Sequence, residues 1–180
     1  MNWLLPSSQT IYLIDVDVLA RIHVRKDSEH IYAALIVMAQ TKTLRTVRQT
    51  FDELKRFGPQ FERLKAHRDE FQISPDDQFC TNVQDFIETL GNEAAYLWEQ
   101  TGGKNPDPAD PWIVAVAAAH GYTVVTNESP RSTMRIPAAC RLPKINCRCI
   151  RGPHFLHEIG LLKEIKPEHI DPAAFFNEGE

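Results

Sequence analysis

Cysteine is scarce in this chain, with four residues in 180, at positions 80, 140, 147 and 149. That is too few for a disulfide scaffold at this length, and it suits a cytoplasmic setting. No stretch is long and apolar enough to cross a bilayer. The opening Met1-Asn-Trp-Leu-Leu-Pro6 lacks the charged and apolar blocks of a signal peptide. Positive charge is not in excess either: 20 Lys and Arg stand against 24 Asp and Glu, a net charge of −4. A general field for holding polyanions is thereby excluded, so any such site must be local. Internal repeats and low-complexity tracts are absent. What remains is an ordinary globular composition, 43% hydrophobic and 24% charged, sized for a single domain spanning residues 1–180.

The first clear element is Ile11-Tyr-Leu-Ile-Asp15, a continuous apolar run ending in an acid. Such a run predicts a strand buried on both faces, as in a parallel sheet. Residues 16–24 then turn into a short helix, and Ser28 is placed to cap a second one carrying Ile31, Leu35, Val37 and Met38. Leu44-Arg-Thr-Val47 reads as a second strand, followed by a helix from Arg48 to Phe57 that stops at Gly58-Pro59. Residues 60–70 read as helical and Phe71-Gln-Ile-Ser74 as another short strand. From Asp76 to Gln100 the pattern is helical, with Phe79, Val83, Phe86, Ile87 and Leu90 on one side and Gly91 as a break.

After a Gly- and Pro-rich loop at 101–109, Asp110-Pro111 reads as N-cap and first helical residue. The following Trp112 to His120 is apolar nearly all round, which predicts a buried helix, and Gly121 is its natural stop. Tyr122-Thr-Val-Val-Thr126 is then a buried strand. A helix running straight into a strand indicates an α/β fold with a parallel sheet. A last helix covers 152–162, and the acidic tail beyond Pro172 reads as loose.

Asp15 and Glu128 sit at strand ends, where open α/β sheets bind their ligands. Asp110 opens the helix before the second of these strands, and Glu53 lies on the helix after the second predicted strand. Four carboxylates in one pocket repel one another unless cations lie among them. Mg²⁺ or Mn²⁺ favours such hard oxygen ligands. One ion could generate a hydroxide nucleophile and a second could steady the leaving oxygen of a phosphodiester. Simpler roles stay open at this point. Asp110 also reads as a plain N-cap, Thr50-Phe-Asp-Glu53 fits a capping box, and Glu128 fits a solvated loop acid. Asp15 is harder to dismiss, because an acid ending an apolar strand must find a partner or stay at the surface.

The order of these words resembles the PIN-domain family: Tyr12-Leu-Ile-Asp15-Val-Asp17-Val-Leu19, then Phe51-Asp-Glu53-Leu54, then Asp110-Pro-Trp-Ile-Val-Ala-Val-Ala117, then Val124-Val-Thr126-Asn-Glu128. Within it, Ile136-Pro-Ala-Ala-Cys140 resembles the Ile-Pro-x-x-Cys segment of the PIN-like DUF4411 subgroup. The resemblance covers roughly residues 11–150. It implies a three-layer α/β/α fold with a central parallel sheet, and a Mg²⁺- or Mn²⁺-dependent endoribonuclease with Asp15, Glu53, Asp110 and Glu128 as catalytic metal ligands. Its similarity to VapC-type toxins implies an RNA substrate, an antitoxin protein and a homodimer. The chain departs from the family pattern at Asp17, where Asn or Ser is usual, and at Glu128, where Asp is commoner. Thr126 and Asn127 are placed to hydrogen-bond a carboxylate from behind, or simply to make an ordinary strand-end turn.

From Ser129 to His157 there is no acid, and the segment carries six arginines and lysines. Arg131 and Arg135 open it and are candidates to hold an RNA backbone, the alternative being a solvated loop. Cys140, Cys147, Cys149, His154 and His157 lack the paired Cys-x-x-Cys spacing of a zinc knuckle, so buried thiols are expected. Two further functions compete. Asp15-Val-Asp17-Val18 resembles the nucleophile motif of haloacid-dehalogenase-type phosphatases, with Thr126 and Lys144 as the next two parts but no late acidic pair. A non-catalytic PIN-like binding module is the other. Asp17→Asn separates the two enzymes: it should abolish hydrolysis of a phosphomonoester by such a phosphatase, whereas RNA cleavage by a PIN nuclease should survive it in part.

Overall fold

Short runs of aliphatic and β-branched residues make the strands, and helices supply most of the remainder. The computed structural model describes residues 10–99 and 105–164. In it β1 (Tyr12–Ile14) leads into α1 (Val16–Arg21) and α2 (Ser28–Gln40), and β2 (Leu44–Arg45) into α3 (Arg48–Leu54) and α4 (Gly58–Leu64). The short α5 (Arg68–Phe71) and α6 (Pro75–Gln78) precede α7 (Thr81–Glu93) and α8 (Tyr96–Glu99). Then come α9 (Ala109–His120), β3 (Thr123–Val125), α10 (Ile136–Cys140), β4 (Cys149–Ile150) and α11 (Gly152–Glu158).

The four strands form one parallel sheet in the order β2-β1-β3-β4, with Tyr12 beside Leu44 and Thr123, and Val125 beside Ile150. Side chains alternate across a sheet, so each strand feeds two cores. Tyr12, Ile14, Leu44 and Val125 join a cluster with α1, α2, α3 and α11, whereas Leu13 and Val124 join one with α7, α9 and α10. This is the expected α/β architecture, with helices on both faces of a central parallel sheet. Among the described residues no helix is long and apolar enough to cross a membrane.

The order of strands creates a crevice at one end of the sheet. From β1 the chain steps one way to β2; from β3 it steps the other way to β4. Right-handed crossovers in opposite directions put their helices on opposite faces, which leaves the crevice outside the carboxyl ends of β1 and β3.

Several boundaries depart from those the sequence predicts. Ser28 is the first residue of α2, and Asp27 precedes it without a side-chain cap bond. Residues 71–74 form no strand: a single parallel bridge joins Thr46 to Gln72. Ser74 accepts a hydrogen bond from Asp77 N–H and Pro75 opens α6, so a helix start halts any extended run. Gly91 lies inside α7, and the helix ends instead at Ala94. Gly costs only about 1 kcal/mol in a helix, and Leu90 before it and Ala94 after it, both fully buried in the second core, hold the chain in place across it. Phe79 falls before α7, is 40% exposed and meets Trp112 edge-on. The acidic tail lies outside the described residues.

Gly121 ends α9 in the left-handed region, φ 70°, which lets the chain reverse into β3. A Cβ placed there would meet nothing within 4 Å, so substitution acts on the backbone alone. Gly121→Ala should lower the unfolding free energy by about 1–2 kcal/mol without disturbing the fold, measured as a reduced urea midpoint with an unchanged slope.

Candidate active site

Asp15 is the residue at which β1 gives way to α1. Its N–H donates to Val125 O at 2.9 Å, the last rung between β1 and β3. Its side chain is only 3% exposed and accepts two hydrogen bonds, from Val16 N–H at 2.6 Å and from the Thr126 hydroxyl at 2.9 Å. The first bond caps α1; the second ties the ends of the two central strands together.

The loop after β3 repeats the pattern. Asn127 N–H donates to both oxygens of Asp17 at 3.2 Å, and Asn127 Oδ1 accepts from Gly152 N–H at the start of α11. Thr126 Oγ1 also accepts from Glu128 N–H at 3.2 Å. The carboxylate of Glu128 accepts from Ile136 N–H at 2.8 Å and pairs with Arg135 at 3.3 Å. Thr126 and Asn127 therefore bind carboxylates rather than serving only as a turn, and Glu128 is no free loop acid.

Glu53 and Asp110 come from the other side of the crevice. Glu53 is no member of a capping box, because α3 begins at Arg48 and Thr50 Oγ1 lies buried without a hydrogen bond. Instead Glu53 Oε1 accepts from Ala109 N–H at 3.0 Å and from Asn105 Nδ2 at 3.1 Å, while Oε2 faces Arg56 at 3.5 Å. A carboxylate on α3 thus satisfies the first N–H of α9. Asp110 is not the N-cap of α9: Pro108 occupies that place and Ala109 is the first helical residue. With the cap position taken and the N-terminal Ala109 N–H satisfied by Glu53, Asp110 is left to face the other acids.

Five carboxylates act on one another across the crevice, each neighbour disfavouring the others' charge. Burial, then the charges of Asp17, Asp110 and Glu128, push the Asp15 carboxyl well above its ordinary range, against the Thr126 hydrogen bond. Burial raises Asp17 as well, opposed by the Asn127 N–H and by hydrogen bonding to Asp15. For Asp110, burial followed by Glu128, Glu53 and Asp17 lifts the pKa to about 8, with Arg135 acting the other way. Glu128 is raised by burial, with the Ile136 N–H and Arg135 holding it down. Asp15 and Glu53 are buried while Asp17, Asp110 and Glu128 are half-buried, so the cluster has a solvent-facing side.

These residues fit a divalent cation of the hard class. Every donor is a carboxylate oxygen. Among the described residues Arg135, Arg56 and Arg21 act on them, and Arg135 and Arg56 are exposed. Among the described residues no group of three or more His, Cys, Asp or Glu side chains is placed to hold a metal ion between them. Mg²⁺ needs none, since it keeps most of its waters and takes one or two carboxylates directly.

The two arginines differ. Arg135 is engaged with Glu128 and so serves the acids before any substrate. Arg131 sits on an exposed turn, its N–H donating to Ser129 Oγ at 3.3 Å. Asn105 and Asp107 carry no sequence signal that singles them out. Asp107 accepts from Trp112 Nε1 at 2.6 Å and Gln49 Nε2 at 2.8 Å, and its own N–H donates to Asn105. Together they hold the approach to α9, in a loop whose composition signals only Gly and Pro.

A family model described as Domain of unknown function (DUF4411) matches residues 12–160. The chain belongs to that family, and the matched span contains every carboxylate of the cluster. No curated protein matches the sequence.

The Asp110 shift sets a pH dependence. Between pH about 4 and about 8 the unfolded chain releases this proton while the folded one keeps it. Its contribution to stability is complete below the ordinary pKa of 3.8 and is lost as pH rises toward 8. Urea unfolding in EDTA should show stability falling across this window, with a shallower fall in Asp110→Asn. An equal slope in both proteins would contradict the assignment.

Proposed function

We propose that this chain is a PIN-type, metal-dependent endoribonuclease that hydrolyses phosphodiester bonds at the Asp15–Asp110–Glu128 cluster. The observation that carries the reading is the gathering of Asp15, Asp17 and Glu128 at the carboxyl ends of β1 and β3, tied together through Thr126 and Asn127, with the charge of Glu128 and Asp17 raising Asp110 across the crevice.

Mg²⁺ or Mn²⁺, held directly by one or two of Asp15, Asp110 and Glu128 and through its waters by the remaining acids, Glu53 and Asp17 among them, would supply charge to phosphoryl oxygens and lower the pKa of an attacking water. The protein's own groups set up that chemistry. Thr126 fixes one oxygen of Asp15, and the Asn127 N–H fixes Asp17. Glu53 clamps the start of α9 and through it positions Asp110. Ile136 N–H and Arg135 orient Glu128. Loss of the Asp110 proton, held to about pH 8 without a cation, prepares that carboxylate as a ligand. Arg131, exposed just beyond Glu128, is the nearer candidate for an RNA phosphate than Arg135. In this reading a VapC-like antitoxin and a homodimer are the partners to look for.

The phosphatase alternative has less to support it. Lys144 would have to stand near Asp15, yet its ammonium pairs with Glu93 on α7 at 2.7 Å.

Single-stranded RNA should be cut in the presence of Mn²⁺ and left intact in EDTA. Asp15→Asn and Asp110→Asn should each lower the rate at least about 100-fold, read by gel alongside circular dichroism to verify folding. Product that persists undiminished in both variants would sink the proposal, and an inert wild-type protein that binds RNA would favour a binding module.

A further inference from the structure

Three of the four thiols, so far without a role, meet in one place. Cys140 ends α10, Cys147 precedes β4 and Cys149 opens it, and all three line one open cavity of about 160 Å³. Thr126 and Glu128 line the same cavity, so the thiols share a wall with the carboxylate cluster. Cys147 N–H donates to Cys140 O at 3.1 Å, which sets the two residues side by side across the chain. The Cys147 and Cys149 thiols both act on the Cys140 thiol and push its pKa up.

We propose that Cys147 and Cys140 form a reversible disulfide on meeting a low-molecular-weight disulfide, making this cavity wall a site of covalent modification. The pairing follows from geometry. One backbone hydrogen bond holds Cys140 and Cys147 at the spacing of a bridged pair, roughly 4.4–6.8 Å between Cα atoms. Cys147 and Cys149 are two residues apart on extended chain, roughly 6.6 Å, near the upper limit of that range. The roles also divide. Cys147 is half-buried and reachable from the cavity, whereas Cys140 is 1% exposed. The hydrogen bond from Cys140 holds the Cys147 thiol below its ordinary pKa, against burial. Bonds to Cys147 and Cys149, then burial, push Cys140 up. Thiolate attack begins at the lower-pKa, accessible sulfur.

In the first step the Cys147 thiolate attacks one sulfur of the small disulfide; its S–S bond breaks, and one small thiolate leaves and takes up a proton. In the second, Cys140 gives its proton to solvent and attacks the Cys147 sulfur, releasing the second small thiol. Two protein thiols are oxidised and one small disulfide is reduced to two thiols. The new bond staples the end of α10, whose first N–H grips Glu128, to the chain entering β4.

The test uses the full chain and oxidised glutathione, and is independent of nuclease activity. Trypsin cuts after Arg135, Arg141, Lys144 and Arg148, so the bridge would join peptides 136–141 and 145–148 in a non-reducing digest. The expected result is that linked pair, loss of two titratable thiols and full reversal by dithiothreitol. Cys147→Ser should slow thiol loss at least about tenfold, while Cys80→Ser and Cys149→Ser keep the link. A link through Cys149 or Cys80, glutathione remaining on Cys147 without a bridge, or stoichiometric zinc holding the thiols unreactive would overturn the proposal.

Discussion

Carboxylates that crowd one another away from water are the constraint around which the rest of the structure is arranged. Burial disfavours their charge, and each neighbour disfavours it further. Left alone, such a cluster would protonate or come apart. Here it is held by hydrogen bonds from behind: Val16 N–H and Thr126 on Asp15, Asn127 N–H on Asp17, Ile136 N–H on Glu128, Ala109 N–H on Glu53. Four of these five donors are backbone groups, which cost no side-chain entropy to place. The arginines nearby sit at the rim, where water screens them. The cluster is therefore ordered in shape yet short of positive charge, which is the condition a divalent cation relieves.

The sheet explains why the donors are available there. Strand ends leave N–H groups without sheet partners, and helix starts do the same. At the switch between β1 and β3 both kinds gather. Asp15, Thr126 and Asn127 occupy the strand side of the crevice, and Glu53 with Asp110 the helix side. Asp107, Asn105 and Trp112 brace the loop that carries α9 to this point. On the far side of Glu128, α10 links the acids to the thiol-lined cavity, so two chemically distinct groups of side chains share one short helix.

Some features are legible because their signal is local. Apolar runs predict β1 and β3, all-round hydrophobicity predicts a buried α9, and Gly121 marks its end. Other local signs carry more than one meaning. Asp110-Pro111 has the form of a cap and first residue, but Pro108 and Ala109 start the helix two residues earlier. Thr50 and Glu53 have the spacing of a capping box, yet α3 starts before them and Glu53 caps α9 instead. Gly91 breaks nothing, since the packing of α7 outweighs its weak propensity.

The chain itself determined the α/β class, the buried strands and which acids were worth watching, because periodicity and strand-end position are written in neighbouring residues. Tertiary structure alone decided that Asp15 meets Thr126 across 111 positions, that Glu53 serves a helix 56 positions away, that Arg135 belongs to Glu128, and that three thiols face one cavity. Those contacts are made through space, around the side-by-side pairing of β1 and β3, and electrostatic coupling depends on separation in space rather than along the chain.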